Sequence, residues 1–290
     1  MIKIIKYFIQ AVFVYLFYIF IKIIGLKHSR YIFSKIFQNI GPLIKSKNII
    51  DDNLYKALGK TKDEKKINIV ANMWSNYGKT FVEYIYLNKF RDENLHVNIT
   101  KGLNTLLKIK KNNKPVIFIS GHFANFELMS MEITKKKIDL ATIYRPLNNI
   151  FLNPFMEIIR KKYVCKNQIK KGISGIRNAI EYIKNNHSIA LMIDQRVSEG
   201  KQIPFFNHKA LTTTLPAQLA LKYNCDIVPV FLYRNKNDTF DMQLYDPISI
   251  DRKLNTEVNK LQITINLNKI LEEMILKKPE QWIWTHNRWK

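Results

Sequence analysis

Gly121-His122-Phe123-Ala124-Asn125-Phe126-Glu127 sets an imidazole and a carboxylate five residues apart, directly after the apolar run 115–120 (PVIFIS). Histidine is the side chain best suited to take a proton near neutral pH, and an acid bound to one ring nitrogen turns the other toward a substrate. Five residues of regular helix rotate about 140°, so the two side chains cannot share one helical face. His122 is therefore expected in a turn ahead of a helix, with Glu127 in that helix's first turns and its carboxylate reaching back to one imidazole nitrogen. Such a pair is the His-carboxylate half of a serine-hydrolase triad without the serine, so the nucleophile would come from the substrate. Taken alone, a His and an acid spaced this way after a strand are structural more often than catalytic.

Competing chemistries fail on spacing. Gly172-Ile173-Ser174-Gly175 does not fit the G-x-S-x-G elbow and lies at a helix start. Gly78-Lys79-Thr80 looks like the end of a P-loop, but the glycine that motif needs at position 73 is Met73. Cys165 and Cys225 are the only cysteines and have neither a CxxC partner nor nearby histidines. They read as small buried hydrophobes of a reducing compartment, and neither a metal site nor a cofactor is expected.

The elements that must position the motif alternate. Residues 115–120, 139–143, 188–193 and 226–232 are short β-rich apolar runs, and residues 173–184 and 215–223 carry helical periodicity. Strand and helix taking turns predict an α/β fold with a central, mostly parallel or mixed sheet flanked by helices. His122 then stands at a strand's carboxyl end, where such sheets bind ligands. Residues 53–90 read as helices with Met73, Tyr77, Phe81, Tyr84 and Ile85 facing a core, residues 240–245 as an edge strand, and residues 258–276 as a closing helix. No Pro/Gly/Ser-rich linker divides the body, which suits a chain of 290 residues forming one catalytic domain over 31–290.

Residues 7–21 are apolar or aromatic except for Gln10, with Lys3 and Lys6 ahead and Lys22, Lys27 and Arg30 behind. No A-x-A cleavage site follows, so residues 1–30 are read as an N-terminal membrane-anchor helix that spans the bilayer. As a helix the fifteen-residue run covers only about 22 Å, and lysine snorkelling together with residues 23–26 would supply the rest. The heavier cationic flank after the segment places the body in the cytoplasm. A formal net charge of +24 predicts an acidic partner: a nucleic acid, an anionic lipid surface or an acidic protein. An apolar content of 47% excludes a disordered chain.

Several segments together resemble the bacterial lipid A biosynthesis acyltransferases, which add secondary acyl chains to a lipid A precursor. The motif at 121–127 is similar to that family's G-H-x-G-N-W-E block, and Tyr144-Arg145-Pro146 with Asn148 and Asn149 to its Y-R-P-x-x-N block. Asp194-Gln195 with Pro204-Phe205-Phe206 looks like its D-Q and P-F-F-G segments, and residues 212–220 with Val228-Pro229-Val230 like its threonine-rich helix start and V-P strand. The ending Pro279-Glu280-Gln281-Trp282-Ile283-Trp284-Thr285-His286-Asn287-Arg288-Trp289 is similar to P-E-Q-W-x-W-x-H-R-R-W. The blocks occur in family order along the whole chain. Ala124, Phe126, Asn207, Leu215 and Asn287 depart from the pattern, and none of them is the histidine or the acid.

This resemblance implies a glycerolipid-acyltransferase-like fold at the cytoplasmic face of the inner membrane. It also implies transfer of an acyl chain from acyl carrier protein to a hydroxyl of a lipid A precursor, with His122 as base, Glu127 fixing its tautomer, and no acyl-enzyme. Arg145 and Arg160 are candidates for holding the oxyanion, each as readily a surface or ion-paired arginine. Asp194 ends a strand and is expected either to line the same cleft or to cap a helix or pair with Arg196. Asn125 and Tyr144 join the substrate-binding candidates through their motifs. Trp282, Trp284 and Trp289 read as an acyl cradle, as interface anchors, or as core. Transfer to another glycolipid or an aminolipid, acyl-CoA as donor, an inactive scaffold and a nucleic-acid-binding protein are the alternatives. No nucleic acid is expected, because the chain carries neither an RNP-type aromatic motif nor zinc-finger spacing.

Overall fold

A computed structural model describes residues 2–251 and 255–290. Helices α1 (Ile2–Ile24), α2 (Leu26–Ile44), α3 (Lys47–Leu58), α4 (Asp63–Glu83) and α5 (Leu87–Asp92) precede the first strand. The α/β portion then runs β1 (Val97–Lys101), α6 (Leu103–Asn112), β2 (Val116–Ser120), α7 (Glu127–Lys135), β3 (Leu140–Tyr144), α8 (Asn153–Ile159), β4 (Asn167–Lys170), α9 (Ile173–Lys184) and β5 (Ser188–Met192). It closes with β6 (Lys201–Phe205), β7 (His208–Thr212), α10 (Leu215–Tyr223), β8 (Asp226–Arg234), β9 (Phe240–Leu244) and α11 (Thr256–Lys277).

Seven strands form one sheet in the order β1-β9-β8-β2-β5-β3-β4, and β6 with β7 makes a separate antiparallel hairpin. From β8 to β4 every pairing is parallel; β9 runs antiparallel to β8 and parallel to β1. The mostly parallel α/β sheet expected from the alternating runs is therefore present. β9 differs from expectation, since it lies inside the sheet and not at its edge. The true edges, β1 (VNITK) and β4 (NQIK), are short and polar, so neither shows the apolar run that marks a strand buried on both faces.

Period-two alternation along β2 divides the core. Ile117 and Ile119 pack with Ile189, Leu191 and the helices α9 to α11 on one face, while Val116 and Phe118 pack with Ala190, Val228, Val230 and α5 and α7 on the other. The helical layer is clamped by α2 against α4. Gly78 lies so close that a β-carbon there would stand 2.2 Å from the Phe33 carbonyl oxygen. The glycine of the P-loop lookalike thus serves helix contact, and Lys79 beside it pairs with Asp238 at 2.7 Å.

Glu83, at the end of α4, is fully buried and ties three parts of the chain together. Its carboxylate accepts from Arg30 Nε (2.8 Å), from the Arg234 guanidinium and from Asn125 Nδ2 (3.0 Å). Burial alone would raise its pKa, but Arg234 and Arg30 overcome that and hold it below the ordinary carboxylate value. Breaking a buried pair strands the remaining charges. Glu83→Ala is expected to destabilise the fold by about 3–5 kcal/mol in a denaturant titration; a loss below ~1 kcal/mol, the size of a surface pair, would contradict this reading.

Candidate functional site

β2 and β5 are parallel neighbours whose register pairs Ser120 with Met192. Two residues further along each strand's exit, His122 and Asp194 come side by side. His122 Nδ1 lies 2.7 Å from Asp194 Oδ1, and the His122 backbone N–H donates to Asp194 Oδ2 at 2.7 Å. Trp282 Nε1 donates to the same Oδ2 at 2.9 Å. Asp194 is fully buried, which favours its neutral form; the His122 ring beside it and the N–H donors of His122 and Trp282 reverse that and hold it below its usual range. An ionised carboxylate only accepts, so the Nδ1 that faces it carries a proton, and Nε2 is the ring nitrogen left free of Asp194. That ring is 21% exposed, and Nε2 has no hydrogen-bond partner among the described residues.

The turn carrying His122 is pinned at several points. A β-carbon on Gly121 would stand 2.8 Å from the Phe123 ring and 2.9 Å from Leu271, so a larger residue here requires those two side chains to shift. Ala124 has φ +43°, a left-handed conformation that glycine takes up more easily. Its N–H donates to Gln281 O at 3.1 Å and its carbonyl accepts from Thr80. Asn125, buried, is committed to Glu83. Phe126 packs edge-on against the imidazole, with centroids 4.6 Å apart.

Glu127 opens α7 as expected, but its carboxylate does not take the imidazole nitrogen. It accepts from Arg160 at Nε (2.7 Å) and Nη2 (2.6 Å) and from Tyr84 Oη (3.0 Å). Burial, joined by the Glu127 charge, pushes the Tyr84 hydroxyl well above its ordinary pKa, so it stays a donor. Burial disfavours the Arg160 cation, but Glu127 more than offsets this and secures the charge. Arg160 also stacks over the Tyr144 ring at 5.4 Å, while its Nη1 is buried with no partner among the described residues. Tyr144 Oη donates to Glu157 at 2.8 Å. The candidates therefore fall into two clusters, His122 with Asp194 and Glu127 with Arg160 and Tyr144. Arg145 is exposed at the end of β3, outside both.

Trp282 and Trp284 are fully buried and Trp289 packs on Phe205, so the core reading holds for these tryptophans and Trp282 has the added task of fixing Asp194. Asp194 neither caps a helix nor pairs with Arg196. Tyr84 and the Trp282–Asp194 bond were not foreseen; no local pattern marks either, because each partner lies more than 40 residues away. The C-terminal segment that brings Trp282 is anchored by Asn53 Nδ2, which donates to the carbonyls of Trp284 (2.8 Å) and His286 (2.7 Å). His286 Nε2 accepts the Arg196 N–H at 2.9 Å, and burial lowers its pKa from 6.5 to about 4. The unfolded chain would bind a proton there that the folded chain refuses, so stability is full above about pH 6.5 and falls as the pH drops toward 4. His286→Gln is expected to flatten this part of the melting-temperature profile; an unchanged slope between pH 6.5 and 4 would contradict the assignment.

The family described as bacterial lipid A biosynthesis acyltransferase matches residues 2–290. The chain is similar to a lipid A biosynthesis palmitoleoyltransferase of Escherichia coli (strain K12), 24% identical over 193 residues that cover 66% of this chain and 60% of the relative. A lipid A biosynthesis acyltransferase of Shigella flexneri aligns to the same extent, again with 60% of its length covered. A second Shigella flexneri relative, lipid A biosynthesis acyltransferase 2, is 23% identical over 238 residues, 80% of this chain and 74% of the relative.

Proposed function

The chain belongs to the bacterial lipid A biosynthesis acyltransferase family, and on that premise we propose that it transfers a fatty acyl chain from acyl carrier protein to a hydroxyl of a lipid A precursor. The observation that carries this reading is the imidazole bonded through Nδ1 to a buried, ionised Asp194, with Nε2 left as the free base. Nε2 removes the proton from the acceptor hydroxyl as its oxygen attacks the thioester carbon. The tetrahedral intermediate collapses with cleavage of the C–S bond, and the departing thiolate takes the proton from the imidazolium. The products are an ester and the free thiol of the donor. Asp194 holds the tautomer and stabilises the imidazolium, the role the sequence assigned to Glu127.

Glu127 acts instead through Arg160. It fixes a buried guanidinium whose Nη1 is unpartnered, and that N–H is the donor we assign to the developing oxyanion. Cys165 and Cys225 are both buried, which supports direct attack by the substrate hydroxyl over an acyl-enzyme. The protein works as a catalytic body, residues 31–290, at the cytoplasmic face of the inner membrane, held there by residues 1–30. The apolar N-terminal helix and the charge of +24 support that placement.

Membranes supplied in parallel with labelled acyl carrier protein and acyl-CoA, with the lipid products identified by mass, test donor and acceptor. An acylated lipid A precursor formed from the carrier protein is expected; product formed only from acyl-CoA, or only on another lipid, would overturn the assignment. His122→Ala, Asp194→Asn and Glu127→Ala are each expected to lower turnover about 100-fold or more with the fold retained by circular dichroism. Near-normal turnover of Asp194→Asn would remove Asp194 from the mechanism.

A further inference from the structure

α1 is long and apolar enough to cross a membrane, yet it does not stand clear of the body. Tyr7, Ala11, Val14, Tyr15, Tyr18 and Ile21 are buried or half-buried, a spacing that marks one helical stripe. That stripe is held along its length. Asn149 Nδ2 donates to the Tyr7 carbonyl at 2.8 Å, and Tyr15 Oη donates to the Phe151 carbonyl at 2.8 Å. Phe8 meets Phe151, and Tyr15 and Tyr18 both meet Phe155, with ring centroids 5.5–5.6 Å apart. At the other end Tyr86 Oη donates to the Ile21 carbonyl at 2.8 Å.

These contacts conflict with a spanning helix. If Lys22 marked the cytoplasmic interface, Tyr7 would lie about 22 Å deeper, well past the middle of a ~30 Å hydrocarbon layer. The body segment bonded to Tyr7 would descend with it, carrying exposed Asn148 and drawing the charged Glu157 and Lys161 after it. Unsatisfied polar groups and charges are both strongly disfavoured in hydrocarbon, charges near its centre most of all. Against this, the faces of α1 turned away from the body are apolar: Ile5, Ile9, Val12, Leu16, Ile19 and Ile23 are all exposed. A helix apolar on all faces needs protein or lipid around it, and the body covers only one stripe.

We propose that α1 does not cross the bilayer but lies along it, sunk into the leaflet that faces the body. Its outer faces are in lipid, and exposed Leu147 and Ile150 enter beside its N-terminal half. Lys3, Lys6 and Lys27 reach up to the anionic headgroups. The N-terminus and the catalytic body then share one side of the membrane. α8, which packs on α1 through Phe155, continues directly into the π-helical segment Arg160–Val164, so a membrane lipid reaches this part of the protein by lateral diffusion. The inference rests on the membrane association proposed above and is independent of donor, acceptor and mechanism.

Spin labels on Ile5→Cys, Val12→Cys and Ile19→Cys of the full chain test it, since all three native side chains are exposed and share one face at seven-residue spacing, while Cys165 and Cys225 are buried. In phosphatidylethanolamine–phosphatidylglycerol vesicles, relative accessibility to oxygen and to a water-soluble nickel chelate reads the depth of each label. The three labels are expected at one shallow depth, about 5–10 Å below the headgroups. A Val12 label about 10 Å deeper than both others, as seven residues of upright helix would set it, overturns the proposal. Water-like exposure of all three would overturn it together with the membrane association, whereas failed acyl transfer with shallow, equal labels would leave it standing.

Discussion

A carboxylate without access to water stays ionised only where donors surround it, and the meeting of Asp194 with His122 and Trp282 is the interaction on which the site depends. Both oxygens are engaged, one by the imidazole and the other by a backbone N–H and an indole. The sheet supplies two of these contacts by register alone, because parallel strands that are neighbours deliver residues to one edge at one height. The third comes from the far end of the chain. Trp282 reaches Asp194 only because the C-terminal segment is clasped by Asn53 and because Gln281 bonds both to the His122 turn and to the backbone of Arg234.

Two further buried charge groups hold the surrounding frame. Glu83 gathers Arg30, Arg234 and Asn125, joining the N-terminal helices, a central strand and the turn. Glu127 gathers Arg160 and Tyr84, joining α7, the π-helical segment that continues α8 and the segment after α4. Buried pairs of this kind contribute less net stability than their short distances suggest, since desolvation offsets much of the attraction. Their effect is geometric: each fixes a side chain that the site needs in one place. The unpartnered Nη1 of Arg160 is a product of that fixing, a donor held out of water with no acceptor among the described residues.

Much of this was legible in the residues. The apolar runs placed β2, β5 and β8 at the sheet's centre, because a strand buried on both faces has no polar alternation to hide it. The exit of β2 marked His122, and the exit of β5 marked Asp194 as a neighbour. Which acid bonds the imidazole was not legible. Glu127 is near in sequence, but its carboxylate is drawn off by Arg160, thirty-three residues away, and no local pattern weighs that competition. The edge strands escaped notice since VNITK and NQIK carry no continuous apolar run, and β9 was misplaced at the edge as a result. The apolar N-terminal helix was legible from hydropathy, which counts residues and takes no account of the α1 carbonyls that Asn149 and Tyr86 claim.

The acid-base account stands on the protonation of one ring. If Asp194 is ionised and bonded to Nδ1, then at neutral pH the His122 imidazole carries its proton on that nitrogen and Nε2 is bare. Nitrogen-15 NMR of the full chain with labelled histidine reads this directly, with the His122→Ala spectrum assigning the signal. The expected result is an Nδ1 bearing a far-downfield, carboxylate-bonded proton and an Nε2 at the shift of an unprotonated ring nitrogen, both altered in Asp194→Asn. A His122 ring protonated at Nε2, or one indifferent to Asp194→Asn, would contradict it.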